Sequence, residues 1–167
     1  MGNLKTMNRY SFPVKLETNV RVYYNRSPAH VGRLKFAVDF IVPEGTKMYA
    51  ALSGVVIDVK SDSNIGGDGS MYDRYGNYIE IEHEHGEVSI YEHIKQNGSL
   101  VRVGDEVEEG QLIGFSGNTG WLGGLGAHLH FDVHKYYGTN PEDYKSIEIR
   151  WKKSLKSNLV QTNGKTD

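Results

Sequence analysis

The chain has 167 residues, 19 Lys and Arg against 21 Asp and Glu for a formal charge of −2, and no cysteine. That length suits one domain with a real hydrophobic core, and the near-neutral balance gives no reason to expect nucleic acid or an anionic membrane surface as partner. The lack of cysteine excludes a disulfide framework, a thiolate metal site and a thiol nucleophile. No apolar run approaches the ~20 residues of a membrane span, and the start, MGNLKTMNRY, lacks the apolar core of a secretory signal. MGNLKT also fits the loose myristoylation pattern, with Gly2 followed by Thr6, a match that chance supplies easily.

In chain order, short runs of β-branched and aromatic residues punctuated by 20 glycines predict a β-rich chain. The expected strands are Val20–Tyr24, Leu34–Ile41, Lys47–Ala50, Gly54–Lys60, Asn77–His83, Val88–His93, Gln111–Phe115 and His128–Lys135. Turn signals separate them at Pro43-Glu44-Gly45, Glu84-His85-Gly86, Gln96-Asn97-Gly98 and Gly117-Asn118-Thr119-Gly120. Ser61–Tyr75 reads as a long polar loop, the kind that carries function or disorder. Its Asp62, Asn64 and Asp68 lack the acidic spacing and closing Glu of a calcium loop. A short helical turn is expected after Asn140, with Pro141 at its first position, and a polar, frayed tail from about Ser154.

The seven histidines carry the functional question. In a strand, residues i and i+2 share a face. His128 and His130, in GLGAHLHFDV, therefore point the same way, so one imidazole can hold a metal while the other reaches a substrate or water. His134 has the same parity, but its place near the strand end reads as solvated. His83 and His85 form a second pair in YIEIEHEHG. There His83 continues the apolar face of Ile79 and Ile81 and reads as a buried, hydrogen-bonded histidine. HEH does not complete H-E-x-x-H. In SIYEHI, His93 shares a predicted face with Tyr91, and His30 sits in a loop-like stretch.

Asp39 stands among Phe36, Val38, Phe40 and Ile41. A carboxylate there is costly to bury without a partner, which a metal ion, an arginine or a backbone amide could supply. Two histidines and an aspartate form a usual zinc set, and three protein ligands leave one position open for water.

Four stretches in order resemble the lysostaphin-type zinc metallopeptidases, a family that cuts peptide bonds in bacterial peptidoglycan. They are AVDFIVPEGTKMYAALSGVV, GNYIEIEHEHGEVSIYEHI, LVRVGDEVEEGQLIGFSGNTG and AHLHFDV. The resemblance covers 12–137 as the metallopeptidase domain, with 1–11 an N-terminal and 138–167 a C-terminal extension. It implies an all-β fold, an antiparallel sheet in a sandwich/barrel-like hybrid whose open groove carries one zinc ion. It implies His30, Asp39 and His130 as metal ligands, and His93 and His128 as catalytic histidines. The family commonly places a His four residues before the Asp. Here Lys35 stands at that position, and His30 lies nine before, as in a subgroup with a longer insertion. Trp121 and the Ser61–Tyr75 loop are expected to wall the groove.

The implied function is zinc-dependent hydrolysis of a cross-link or stem peptide of peptidoglycan, at the cell envelope or outside the cell. The implied partner is the peptidoglycan peptide, with a regulatory protein partner left open. Two alternatives stand beside it. One is a catalytically inactive scaffold or activator of cell-wall hydrolases. The other is a biotinyl or lipoyl carrier, suggested by VRVGDEVEEGQLIG but lacking a modifiable lysine turn.

Overall fold

A computed structural model describes residues 4–16, 20–24 and 27–153, and the backbone of 160–162. Among the described residues there are fourteen strands: β1 Arg21–Tyr24, β2 Val38–Ile41, β3 Lys47–Tyr49, β4 Gly54–Lys60, β5 Gly66–Gly67, β6 Tyr78–Glu82, β7 Val88–Glu92, β8 Ile94–Ser99, β9 Glu106–Val107, β10 Leu112–Ser116, β11 Gly120–Trp121, β12 Leu129–Tyr136, β13 Tyr144–Ser146 and β14 Val160–Thr162. Only short 3-10 turns interrupt them, at Gly32–Leu34, Ser70–Tyr75 and Glu84–Gly86. No helix among the described residues is long and apolar enough to cross a membrane. Gly2 and most of the tail from Ser154 lie outside the described residues.

The larger sheet runs β14-β1-β2-β12-β7-β6-β4-β9, with β13 also on β12. It is antiparallel except where β14 joins β1. A three-stranded sheet, β3-β10-β8, supplies Met48, Ile113 and Ile94 to the same core as Phe40, Ile79, Ile81, Leu129 and Phe131. The architecture is thus all-β and open, without a closed barrel. The segments flanking 12–137 join this core. Tyr10 and Ile147 are buried in it, and Thr6 and Tyr10 donate their amides to the carbonyls of Glu148 and Arg150.

The alternation of β12 decides where the chemistry sits. Leu129, Phe131 and Val133 are fully buried in the core. His130, Asp132 and His134 take the opposite face, as a strand's period of two requires. The register sets His130 opposite Asp39 on β2 and Glu92 on β7.

Several elements differ from the sequence expectation. The strand expected over Leu34–Ile41 begins at Val38, because Gly32–Leu34 is a 3-10 turn entered through Gly32 at φ +56°. The turn after Asn140 is not helical. It closes through the Asp143 amide on the Asn140 carbonyl and leads into β13. The Gln96-Asn97-Gly98 signal falls inside β8, where Asn97 takes φ +54°.

Candidate metal centre and active site

Three side chains from distant parts of the chain converge. Asp39 comes from the centre of β2, His130 from β12 opposite it, and His30 from the loop before the Gly32–Leu34 turn. That loop folds back on itself, with the His30 amide bonded to the Ser27 carbonyl and the Ala29 amide to Ser27 Oγ. His30 Nε2, His130 Nδ1 and Asp39 Oδ1 lie 3.2 Å from one another along every edge of the triangle. All three residues are buried. Lys35, four residues before Asp39, is exposed, its ammonium over the Phe36 ring. The insertion therefore brings His30 to the site and leaves Lys35 outside.

The triangle fits a small tetrahedral ion. Zinc bound by nitrogen and oxygen at about 2.0–2.1 Å places its donors about 3.3–3.4 Å apart. Direct hydrogen bonding leaves the site unsatisfied, since Asp39 Oδ2 and His130 Nε2 are buried without a hydrogen-bond partner. No Arg or Lys among the described residues forms an ion pair with Asp39; the imidazoles of His30, His130 and His128 surround it. Burial alone would raise the Asp39 carboxyl, but His130 and His30 hold it well below the usual carboxylate range. Burial disfavours charge on His130, yet the carboxylates of Asp132, Asp39 and Glu92 outweigh it and push that imidazole well up. A metal held by these side chains would compete with protons for them, which would couple binding to pH.

Two further imidazoles flank the triangle. His128 Nδ1–H donates to the Gly126 carbonyl at 2.8 Å, turning Nε2 toward Asp39 Oδ1 at 3.7 Å. His93 Nδ1–H donates to the Thr119 carbonyl at 2.7 Å. Its ring lies 4.4 Å from that of His128 and 5.9 Å from that of His130. Each carbonyl fixes a tautomer that keeps the outer nitrogen free as an acceptor. Burial lowers both pKa values, most strongly for His93, where His128 and His130 add to the effect.

His93 reaches this face by breaking the alternation expected for it. Tyr91 points into the core, edge-on to Phe131, with its hydroxyl accepting from the Ala51 amide. A continued strand would send His93 the same way. Instead it adopts φ +66°, a left-handed conformation uncommon outside glycine. The Thr119 carbonyl holds it there, and Thr119 Oγ1 accepts the Asn77 amide and donates to the Ile94 carbonyl. Glu92, His93 and His130 form a second group with metal-ligand spacing. It shares His130 with the first, its Glu92 is partly exposed, and His93 Nδ1 is committed to Thr119.

The remaining histidines separate clearly. His83 is buried with both nitrogens satisfied, by the Ser53 carbonyl and Ser89 Oγ, each at 2.8 Å. His134 is not solvated: it is fully buried, bonded to Asp132 and stacked against Tyr144. Sequence reasoning missed Glu80, Glu92 and Asp132, which share this face; counting in twos from His130 would have found Asp132.

A groove beside the triangle is lined by Arg33, Asp73, Glu80, Glu92, His93 and Trp121. The 61–75 loop and the 117–127 loop form one wall. β5 and β11 pair in parallel, Trp121 Nε1 donates to the Asp68 carbonyl, and the Gly124 amide donates to Asp68 Oδ1.

Comparison with known proteins identifies the family. Residues 33–143 match the family described as Peptidase family M23. The chain is 32% identical over 130 residues to the peptidoglycan DD-endopeptidase ShyC of Vibrio cholerae, covering 74% of this chain and 25% of that protein. A crystal structure of a zinc-containing peptidase from Vibrio cholerae superposes with a TM-score of 0.53 at 30% identity, over 75% of this chain and 36% of the other. Lysostaphin of Staphylococcus simulans superposes with a TM-score of 0.55 at 29% identity, over 77% and 47%. The chain spans no more than 30% of the length of the curated relatives it matches. With a family match across residues 33–143, two thirds of its length, the chain belongs to peptidase family M23.

Proposed function

We propose that this chain is a zinc-dependent endopeptidase that hydrolyses a peptide bond in bacterial peptidoglycan, within a cross-link or a stem peptide. The observation that carries the reading is the buried 3.2 Å triangle of His30, Asp39 and His130, with two carbonyl-anchored imidazoles beside it. His30 Nε2, Asp39 Oδ1 and His130 Nδ1 would hold the ion. When bound, the ion supplies a Lewis acid for the scissile carbonyl and lowers the pKa of water at its open position.

The other steps belong to side chains. His128 Nε2, nearest the triangle, takes the proton of the attacking water. The same His128 nitrogen returns that proton to the leaving amine, while His93 Nε2, an acceptor that lines the groove, takes a hydrogen bond from the attacking water. Their Nδ1–H bonds to the Gly126 and Thr119 carbonyls hold both rings through these transfers. The groove and its loop wall position an extended peptide across the site. Work on such a substrate places the protein at the cell envelope or outside the cell. An inactive scaffold would be expected to have lost one of these five side chains, and all five are present and converge.

The test is to incubate zinc-loaded protein with purified cross-linked muropeptides and read the products by mass spectrometry. The expected result is one new amine and one new carboxylate at a single bond, abolished by a chelator and restored by zinc. Intact muropeptides after incubation with protein of full zinc content would refute the reading.

A further inference from the structure

If His130 offers Nδ1 to a metal, its opposite nitrogen must carry the proton, and a buried N–H needs an acceptor. His130 Nε2 is buried and has no hydrogen-bond partner. Two carboxylates approach it: Asp132 Oδ2 at 3.6 Å and Glu92 Oε2 at 3.9 Å. Both distances exceed a hydrogen bond. The candidates differ in setting. The Glu92 side chain is 32% exposed and lines the groove, so water can satisfy it. Asp132 is fully buried, and its Oδ2 is itself without a partner. Its other oxygen, Oδ1, accepts from His134 Nδ1–H at 2.8 Å. The His134 ring is fully buried, 4.5 Å from Tyr144 and 5.2 Å from Tyr136. Beyond it, the Tyr136 hydroxyl donates to Glu80, whose Oε1 lies 4.0 Å from His134 Nε2.

We propose that Asp132, braced by His134, is the positioning residue that accepts the His130 Nε2 proton and holds Nδ1 in the metal-ligating orientation. This rests on the reading of His130 as a metal ligand. Two orphaned buried atoms that face each other are each other's remaining solution, and a small rotation of either side chain closes the gap. His134 fixes Asp132 from behind, so the unpaired oxygen is the one nearest His130. Strand alternation sets all three residues on one face of β12, a rigid element between β2 and β7.

The experiment is zinc affinity by chelator competition on the whole chain, with circular dichroism as a folding check. Carboxylates that orient a ligating histidine change metal affinity by about 10–100-fold when removed, and Asp132→Asn is expected to weaken zinc binding by that factor. Glu92→Gln is expected to leave it unchanged. His134→Phe, which keeps the ring stack and loses the donor, should weaken binding. His134→Asn, which keeps a donor at the Nδ1 position, should recover most of it. Folded Asp132→Asn with wild-type affinity overturns the proposal, as does a larger loss in Glu92→Gln. If Asp132→Asn does not fold, the His134 pair decides, and wild-type affinity in His134→Phe overturns it. The wild type gives an independent reading. With 15N-labelled histidine and bound zinc, His130 should show an Nε2–H tautomer with a slowly exchanging proton, and rapid exchange contradicts the brace. A wild type that takes up no zinc overturns the metal reading itself, whereas zinc-loaded wild type with an unaffected Asp132→Asn overturns only the brace.

Discussion

Two His-x-His pairs lie on the same sheet and come to opposite ends. His83 sits at the end of β6 with one nitrogen on the Ser53 carbonyl, the other on Ser89 Oγ, and the Tyr10 ring edge-on at 5.4 Å. His85 occupies an exposed left-handed turn position at φ +66°. Both nitrogens of His83 are spent, so it can neither bind an ion nor move a proton without giving up one of these bonds. His128 and His130 are as buried as His83, but each spends one nitrogen at most and turns another toward Asp39. Burial and spacing are therefore common to the structural histidine and to the two proposed to act at the metal. Unspent valence beside an uncompensated carboxylate distinguishes them.

The largest effects should come from the triangle. Asp39→Ala or His130→Ala is expected to abolish zinc retention and reduce muropeptide cleavage to background, while His83→Phe leaves zinc content at the wild-type level. Elemental analysis of each variant tests the contrast; loss of zinc in His83→Phe would erase it. Next come the flanking imidazoles. His93→Ala and His128→Ala should keep zinc yet lose about 10²–10⁴ in kcat, the usual range for a general acid or base. Steady-state kinetics on zinc-loaded protein measure this, and an unchanged kcat in either variant would remove that residue from the mechanism.

The acid side of the pH profile sharpens the same distinction. Burial lowers the pKa of both His93 and His128. Each acts as neutral imidazole, and lowering its pKa moves protonation to lower pH. The acid limb of kcat/KM should therefore lie below about pH 6.5, the ordinary histidine value; a limb clearly above it would contradict the geometry. The smallest effect is expected at His83. His83→Phe leaves the buried Ser89 hydroxyl without its partner, which costs about 1–3 kcal/mol of stability. Denaturant unfolding should show that loss with kcat of the zinc-loaded variant unchanged.

The sequence made much of this visible where one physical rule applied over several residues. A run of β-branched residues located Gly54–Lys60 as a strand, and period-two alternation gave His128 and His130 a common face. It also read His83 as buried and hydrogen-bonded, and the apolar neighbours of Asp39 flagged a carboxylate in need of a partner. What stayed hidden depended on departures from the period or on distant chain. The left-handed backbone at His93 moved it off the Tyr91 face. Gly32 and the following 3-10 turn shortened the strand expected from Leu34. His134 read as solvated because the strand before β13 gave no hint that Tyr144 and Tyr136 would close over it. The pairing of β5 with β11 joins two glycine-rich loops far apart in sequence, which no local pattern announces.

The most direct test of the central claim is zinc stoichiometry, by elemental analysis after dialysis against metal-free buffer, in the wild type and in His30→Ala. His30 is the proposed ligand with the unusual spacing, since Lys35 stands four residues before Asp39. The account predicts about one zinc per chain in the wild type, as a three-ligand site requires, and its loss in folded His30→Ala. Equal zinc retention by His30→Ala would contradict the triangle as the metal site.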